Sequence, residues 1–138
     1  MIYKGKLLMD DLELNLLEYE LEFHQPVGFQ SKPNDRVKGG VINVIFKKQE
    51  KANYLMNWMT QSDMRKNGSI IFNGPKDKGV VHEHKFWDAY CIAYEETYRY
   101  DSSHPMVVQL SFAAGIILNK KQGILFKQSW HLTDLGTL

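Results

Sequence analysis

Residues 17–24 constrain the fold more than any other part of the sequence, because apolar and acidic side chains alternate along them without a break. A period of two is typical of a β-strand with one buried and one solvated face. The two faces carry Leu17, Tyr19, Leu21 and Phe23 on one side and Glu18, Glu20 and Glu22 on the other. The same period recurs over residues 86–94 and 106–112, so the sequence predicts a protein built mainly from sheet.

The first strands are predicted to form a bent, barrel-like wall. Asp10 and Asp11 separate two apolar-patterned segments, 2–9 and 12–16, and short acidic side chains suit a tight hairpin turn. The apolar phase then changes from even to odd positions at Leu16 and Leu17, which a single strand accommodates through a bulge or a corner. Further strands are predicted over residues 40–47, 69–73, 80–100, 106–116 and, as a final edge strand, 124–130.

One segment changes period and predicts a helix. Between residues 50 and 61, an apolar stripe at helical spacing is formed by Tyr54, Leu55, Trp58 and Met59. We interpret this stripe as the seal of one sheet end, because amphipathic helices in such domains normally cover a sheet. The predicted fold class is therefore mainly β: a small antiparallel β-barrel, or two packed sheets, with one amphipathic α-helix over about residues 50–61.

The composition excludes several classes of function. Seventeen Lys and Arg against sixteen Asp and Glu leave a net charge of +1, so no overall field draws the chain onto nucleic acid or an anionic membrane. The first residues lack a signal-peptide pattern and no apolar run reaches the length of a membrane span, so we expect folding in the cytosol without membrane insertion. The one cysteine, Cys91, lies within a strand pattern and is predicted to be a small buried side chain.

Patterns of catalytic, cofactor and metal sites are weak. His82 and His84 project from the same side of a strand, as two metal ligands do, but the sequence places no third ligand near them, and we predict a solvated pair without metal. The glycines form neither a dinucleotide-binding nor a phosphate-binding loop. Glu18, Glu20 and Glu22 form a regular row in one environment, whereas general acid–base catalysis needs two unlike environments. We therefore predict no catalytic residues and no cofactor.

Residues 25–38 are predicted to be a long loop, because they contain two prolines and a glycine and show little periodicity. Loops of this length within compact domains often carry function. Val27 and Phe29 are apolar in otherwise polar surroundings. They fit either a plug over the strands that flank the loop or an anchor on another molecule.

The long strands themselves indicate assembly. Regularly patterned strands leave sheet edges with unpaired backbone groups, which soluble monomers normally protect with charges, prolines or short strands. Pairing with an identical copy at such an edge gives a head-to-tail interface, which closes into a ring when the rotation permits. The pattern therefore favours a ring-forming protein.

The sequence resembles the haemolysin-coregulated tube protein family (Hcp, or TssD) of type VI secretion systems, in its Bacteroidetes form. The resemblance rests on five segments in the same order and at the same spacing: KGGVINV (38–44), NWM (57–59), GSIIF (68–72), FWDAYCIAYEE (86–96) and HPM with LSFAA (104–114). It covers most of residues 1–118.

The resemblance implies a single Hcp-like domain over residues 1–138, with a core of about 1–118 and a C-terminal extension, 119–138, that pairs as an extra edge strand or projects from a ring. It implies a homo-hexamer whose rings stack into a tube, with a spike protein at the tip, a contractile sheath around it and effector proteins in its lumen. It also implies export from the cytoplasm to the outside or to a target cell, and no enzymatic activity. Because the long loop in such proteins reaches neighbouring subunits and the next ring, the candidate interface residues are Pro26, Val27, Gly28, Phe29, Gln30 and Lys32.

Two alternatives stay open. A tube protein of a phage tail or of another contractile injection particle would have the same fold. A monomeric ligand-binding or enzymatic β-barrel would instead place Trp58, Trp87, His82 and His84 at the mouth of an apolar pocket.

Overall fold

The computed structural model describes residues 4–27, 37–75 and 79–136. Within these ranges the strands are β1 (Lys4–Met9), β2 (Leu12–His24), β3 (Lys38–Lys47), β4 (Arg65–Asn73), β5 (Val80–Tyr98), β6 (Met106–Ala113), β7 (Ile116–Asn119) and β8 (Ile124–Lys127). One α-helix, α1 (Leu55–Thr60), lies between β3 and β4. Short 3-10 helices cover Glu50–Ala52 and Lys120–Gln122.

The strands form one antiparallel sheet that closes on itself. Their hydrogen-bonded order is β4-β1-β2-β3-β6-β5-β7-β8, and a further pairing between β4 and β5 closes the first six strands into a barrel. The β7-β8 hairpin is attached to β5 through Lys85, Phe86 and Trp87. The predicted fold class, a mainly β antiparallel barrel with one amphipathic helix, is confirmed.

The local signals at the start of the chain have the predicted effects. Asp10 and Asp11 form the β1-β2 turn, and both adopt the left-handed backbone, with φ of 53° and 62°, that a tight hairpin turn requires. The register of β2 against β3 shifts between Leu16 and Glu18, where the apolar phase changes. Leu17 is the extra residue of this bulge, so it is 41% exposed and does not belong to the buried face predicted for it.

Some predicted elements differ from the structure, either in their bounds or in the side to which a residue points. The helix predicted over residues 50–61 is divided into a 3-10 helix and the six residues of α1. The strand predicted over residues 106–116 is interrupted at Ala114 and Gly115, because Gly115 passes so close to Asp88 that an added Cβ would lie 2.9 Å from the Cβ of that residue. Ile92 is exposed, although the period of two predicts it on the buried side, because a register shift of β5 against β6 between Cys91 and Ala93 turns it outward.

The core fills the barrel and is sealed by α1. Leu55 and Trp58, one turn apart on α1, are fully buried. The indole N–H of Trp58 donates to the carbonyl oxygens of Met64 at 3.1 Å and Ala89 at 3.2 Å, so the buried donor is satisfied. The strands contribute Leu7, Leu14, Ile42, Val44, Phe46, Ile70, Phe86, Leu110 and Phe112. Among the described helices, none is long and apolar enough to cross a membrane.

Candidate functional site

Parts of four strands extend past the closed barrel as a sheet of their own. β2 pairs with β1 only through Leu12–Asn15 and with β3 over residues 16–24. β5 pairs with β4 only as far as Tyr90 and with β6 from there to Tyr98. The order in this four-stranded sheet is β2-β3-β6-β5, and its outer strands are residues 17–24, here called the β2 edge, and residues 91–98, the β5 edge. Neither edge has a strand partner on its outer side within the described part of the chain.

Both edges expose apolar side chains. Leu17 and Phe23 of the β2 edge are 41% and 40% exposed, and Ile92 and Tyr98 of the β5 edge are 49% and 64% exposed. Unpaired backbone groups beside exposed apolar side chains are the features that let a sheet edge accept another strand. The two edges therefore form the candidate functional site of this chain, a site for assembly.

The edges are complementary in direction. Each pairing within the four-stranded sheet is antiparallel, so strand direction alternates across it and the two edge strands run in opposite directions. The β5 edge of one copy consequently fits the β2 edge of a second copy as an antiparallel pair when both copies have the same orientation. Such a contact is a head-to-tail interface, and its repetition from copy to copy generates a ring or a filament.

The two faces of the four-stranded sheet differ. One face packs on the barrel core through Ile42, Val44, Leu110 and Phe112, which are fully buried. The opposite face, here called the outer face, carries Glu18, Glu20, Glu22, Val41, Asn43, Ile45, Ala93, Glu95, Gln109 and Ser111. Four of these are glutamates, and part of the face is a shallow cleft of about 500 Å³.

The middle of the outer face is held by polar contacts. The hydroxyl of Ser111 donates to Oδ1 of Asn43, whose Nδ2 donates to Oε1 of Glu20 at 3.3 Å. Val41 and Ile45 of β3 are half-buried on this side, and their neighbours Ile42 and Val44 are fully buried on the other. β3 is therefore covered completely on its core side and in part on the outer face.

An ion pair fixes the β5 edge to the end of β3. Lys48 contacts the carboxylate of Glu96, and the phenol of Tyr94 donates to the same carboxylate at 2.8 Å. The hydrogen bond with Glu96 raises the pKa of Lys48, and the same bond lowers the pKa of Glu96. Both groups are therefore charged at neutral pH, and their ion pair links the β5 edge to the residue that follows β3.

The C-terminal segment is anchored by a residue that the sequence patterns did not single out. Asp88 lies in the middle of β5 with a positive φ of 56° and is only 6% exposed. Its carboxylate accepts hydrogen bonds from the N–H groups of Leu132 at 2.8 Å and Thr133 at 2.7 Å, and from the Thr133 hydroxyl at 2.7 Å. Burial by itself raises the pKa of Asp88, but these hydrogen bonds and the charge of Arg65 outweigh it and hold the pKa below its ordinary value.

His82 and His84 are not the solvated pair that was predicted. Both rings are half-buried, because they lie on the same side of β5 as the fully buried Phe86 and point into one end of the barrel. Their Nε2 atoms are 2.8 Å apart. The described residues contain no group of three or more His, Cys, Asp or Glu side chains that would hold a metal ion.

The remaining predicted site residues are distributed as follows. Pro26 is half-buried and Val27 is 64% exposed, whereas Gly28, Phe29, Gln30 and Lys32 lie outside the described residues. Cys91 is half-buried beside Met59, with the two sulfur atoms 3.7 Å apart, and burial raises the pKa of its thiol. Trp58 belongs to the core, so it does not line the mouth of a ligand pocket as the barrel alternative required.

The fold is a closed barrel that carries a four-stranded sheet with two free, oppositely directed edges. These features define the class of protein, a β-sheet subunit for head-to-tail assembly. The chain belongs to the family described as hemolysin coregulated protein Hcp (TssD), whose model matches residues 1–131. It is accordingly a structural subunit of a type VI secretion tube, and the monomeric ligand-binding barrel is not favoured.

Solved structures agree with this fold. Hcp1 from Flavobacterium johnsoniae is 23% identical, with a TM-score of 0.82 over 91% of this chain and 99% of that one. Hcp1 from Salmonella typhimurium is 11% identical, with a TM-score of 0.71 over 91% and 92% of the two chains. A chain in the baseplate of the anti-feeding prophage, 9% identical, has a TM-score of 0.51 over 84% and 90%. A search of curated protein sequences found no match.

Proposed function

We propose that this chain closes into a ring by pairing the β5 edge of each copy with the β2 edge of the next. The observation that carries the proposal is the opposite direction of the two edges, which lets every copy keep the same orientation. The exposed Leu17 and Ile92 support it, because each lies beside a register shift on an otherwise unpaired edge. Members of the family form hexameric rings, so we propose six copies.

The proposed ring is lined by the outer face. The core side of each four-stranded sheet is covered by β1, β4 and α1, and six such bodies cannot fit inside the circle that the sheets form. The barrels therefore lie outside, and the outer face lines the bore. Six sheets of four strands, about 24 strands at about 4.8 Å, give a backbone diameter of about 37 Å, which strand tilt widens. Glu18, Glu20, Glu22 and Glu95 give this bore an acidic wall.

We propose a mechanical role without catalysis. Stacked rings form a tube, with effector proteins in the bore, a sheath around the outside and a spike protein at the tip, and the whole tube is exported from the cytoplasm. Residues 1–138 act as one unit in this proposal, since β8 pairs with β7 and Asp88 holds the segment after it. Pro26, Val27, Gly28, Phe29, Gln30 and Lys32 are proposed to contact the neighbouring subunit or the next ring.

The edge proposal is tested by the double variant Leu17→Lys with Ile92→Lys. Lysine on a free edge discourages strand addition, and both positions are exposed enough to accept it without loss of the core. The matched control is Ile124→Lys on β8, at a side chain that is 51% exposed. Light scattering after gel filtration is expected to give rings for the wild type and the control, and a 16.1 kDa monomer with unchanged circular dichroism for the double variant.

If the wild type is a 16.1 kDa monomer at every concentration, the proposal that the chain forms a ring is wrong. If the double variant still forms rings, the ring is not closed through the β2 and β5 edges.

A second experiment tests which face of the four-stranded sheet lines the bore. Gln109→Cys on the outer face, in a Cys91→Ser background, is labelled with a gold cluster and imaged by electron microscopy. Density at the centre of the ring supports the assignment, whereas density on the perimeter shows that the other face lines the bore.

A further inference from the structure

His82 and His84 contact each other at one end of the barrel, next to the site of assembly but not part of it. They are opposite Phe72 and Ile70 of β4 in the strand register. Their rings are perpendicular, with centroids 4.4 Å apart and Nε2 atoms 2.8 Å apart. Phe72 packs on His82 at 5.8 Å, and Tyr19 of β2 stacks on His84 at 6.4 Å. Neither histidine serves the proposed ring closure.

The 2.8 Å separation admits one proton between the two rings. A hydrogen bond at this distance needs one Nε2–H group and one Nε2 lone pair. Nδ1 of His84 is buried and has no hydrogen-bond partner. A bare nitrogen is tolerated there better than an unpartnered N–H, so the contacts assign the Nε2–H to His84 and the lone pair to His82.

Protonation disrupts this arrangement in two steps. If the first proton binds Nε2 of His82, then Nε2 of His84 has to become the acceptor, and its own proton moves to the buried Nδ1, where nothing accepts it. The second proton places two N–H groups against each other and puts two positive charges in adjacent rings. Burial first, and the charge of His82 second, lower the pKa of His84, in agreement with this geometry.

The other groups around the pair do not favour a positive charge. From β2 the ionisable group is the phenol of Tyr19, whose pKa is raised by burial, so it stays neutral. β4 presents the side chains of Ile70 and Phe72. The cleft beside His82 is lined by Lys120 and Lys121 of the 3-10 helix after β7, and by Glu83 and Lys85 of β5 itself. Three lysines thus face one carboxylate there.

We propose that the His82–His84 pair is an acid-sensitive contact of the barrel: while both rings are neutral, His82 packs on Phe72 of β4 and His84 packs on Tyr19 of β2, and protonation of the pair weakens the packing of β5 on both strands. The direction follows from linkage. A histidine whose pKa is lower in the folded state contributes stability that is complete above its unfolded value of about 6.5 and is lost as the pH falls below it. The stability of this end of the barrel is therefore highest at neutral pH and falls in mildly acidic solution.

The experiment measures amide hydrogen exchange of the assembled protein at pH 7.5 and 5.5, after correction for the intrinsic rates. Protection in β4 and in residues 81–87 is expected to fall about tenfold for each pH unit between the unfolded and folded pKa values of His84. In His84→Phe, which keeps an aromatic ring beside Tyr19, the fall is expected to be less than about twofold. The control His131→Phe changes a histidine of the C-terminal segment, away from the pair and from both edges, and is expected to show the wild-type loss of protection in β4 and residues 81–87.

An equal loss of protection in His84→Phe and the wild type overturns the proposal, as does a wild type whose protection does not change. If His84→Phe does not fold, His84→Gln replaces it. Exchange of the imidazole C2 hydrogens, followed by mass spectrometry, gives a direct reading in the unmodified protein. The pKa of His84 measured in this way has to lie below the ordinary value of histidine, and an ordinary pKa for His84 overturns the proposal.

Discussion

Replacement of Asp88 by asparagine tests how strongly the C-terminal segment is held. Asparagine has nearly the same shape and tolerates the positive φ of 56° at this position, so the change isolates the carboxylate charge. Three donors from Leu132 and Thr133 reach this carboxylate at 2.7–2.8 Å. Hydrogen bonds to a charged group contribute about 1.5–3 kcal/mol each, and the amide oxygen of asparagine can retain part of this. The expected loss in the free energy that holds the segment is about 2–4 kcal/mol.

The assay is the rate of trypsin cleavage after Lys127, the exposed last residue of β8, together with hydrogen exchange of residues 128–136. When opening is fast compared with cleavage, a loss of about 2–4 kcal/mol increases the cleavage rate about 30- to 700-fold. Asp101→Asn, at an exposed turn, is the control for removal of one negative charge. Thr133→Val removes only the hydroxyl donor and is expected to give a smaller increase.

The charge also predicts a pH dependence. Because the folded pKa of Asp88 lies below its ordinary value of 3.8, the stability that it contributes is present above that value and is lost as the pH falls through the folded pKa. The difference between the wild type and Asp88→Asn is therefore expected to narrow in strong acid. If Asp88→Asn is cleaved at the wild-type rate at neutral pH, the carboxylate does not anchor the segment and the reasoning is wrong.

Three further predictions concern the core, a close backbone approach and the loop. Trp58→Ala is expected to cost about 3–5 kcal/mol in urea unfolding, and Trp58→Phe about 1–3 kcal/mol, because the smaller change only leaves two carbonyls without their donor. Gly68→Ala is expected to lower the unfolding free energy by about 1–3 kcal/mol, since its Cβ would lie 2.5 Å from the carbonyl oxygen of Leu8; an unchanged midpoint would contradict the strand spacing. Val27→Asp with Phe29→Asp is expected to leave the circular dichroism unchanged and to abolish ring stacking in electron micrographs; loss of the fold would instead make the loop part of the core.

The sequence predicts best where the structural cause is local. The two acidic residues of the first turn, Asp10 and Asp11, and the phase change at Leu16 act through their own backbone and their nearest neighbours, and the structure has a tight turn and a bulge there. The helix was predicted too long at its start, because its apolar stripe begins only at Tyr54 and the residues before it, Glu50–Ala52, form a separate 3-10 helix. The stripe reports which side chains face a sheet and does not fix the number of helical hydrogen bonds.

The contacts that the sequence did not predict join residues far apart in the chain. Asp88 meets Leu132 and Thr133 across 44 and 45 residues, and no spacing rule connects them. A signal was nevertheless present, since an aspartate interrupts the apolar pattern of residues 86–94, and a polar residue at such a position usually has a buried partner. The long strands predicted that free edges exist, but which strands provide them depends on where β1 and β4 stop pairing, and that is set by the closed barrel.

The continuity of β2 and β5 has a mechanical consequence. Residues 12–15 of β2 belong to the barrel and residues 17–24 form an edge, while β5 runs from its barrel pairings with β4 and β7 to the opposite edge. A load applied at either edge is therefore transmitted into the barrel along unbroken covalent backbone. The hydrogen bonds to adjacent strands are weaker than the backbone, but they are loaded in shear, so many of them bear the force together. The strands can therefore separate only if many hydrogen bonds break at the same time. Each subunit can thus transmit a force applied to the tube to its neighbours with little deformation of its own fold.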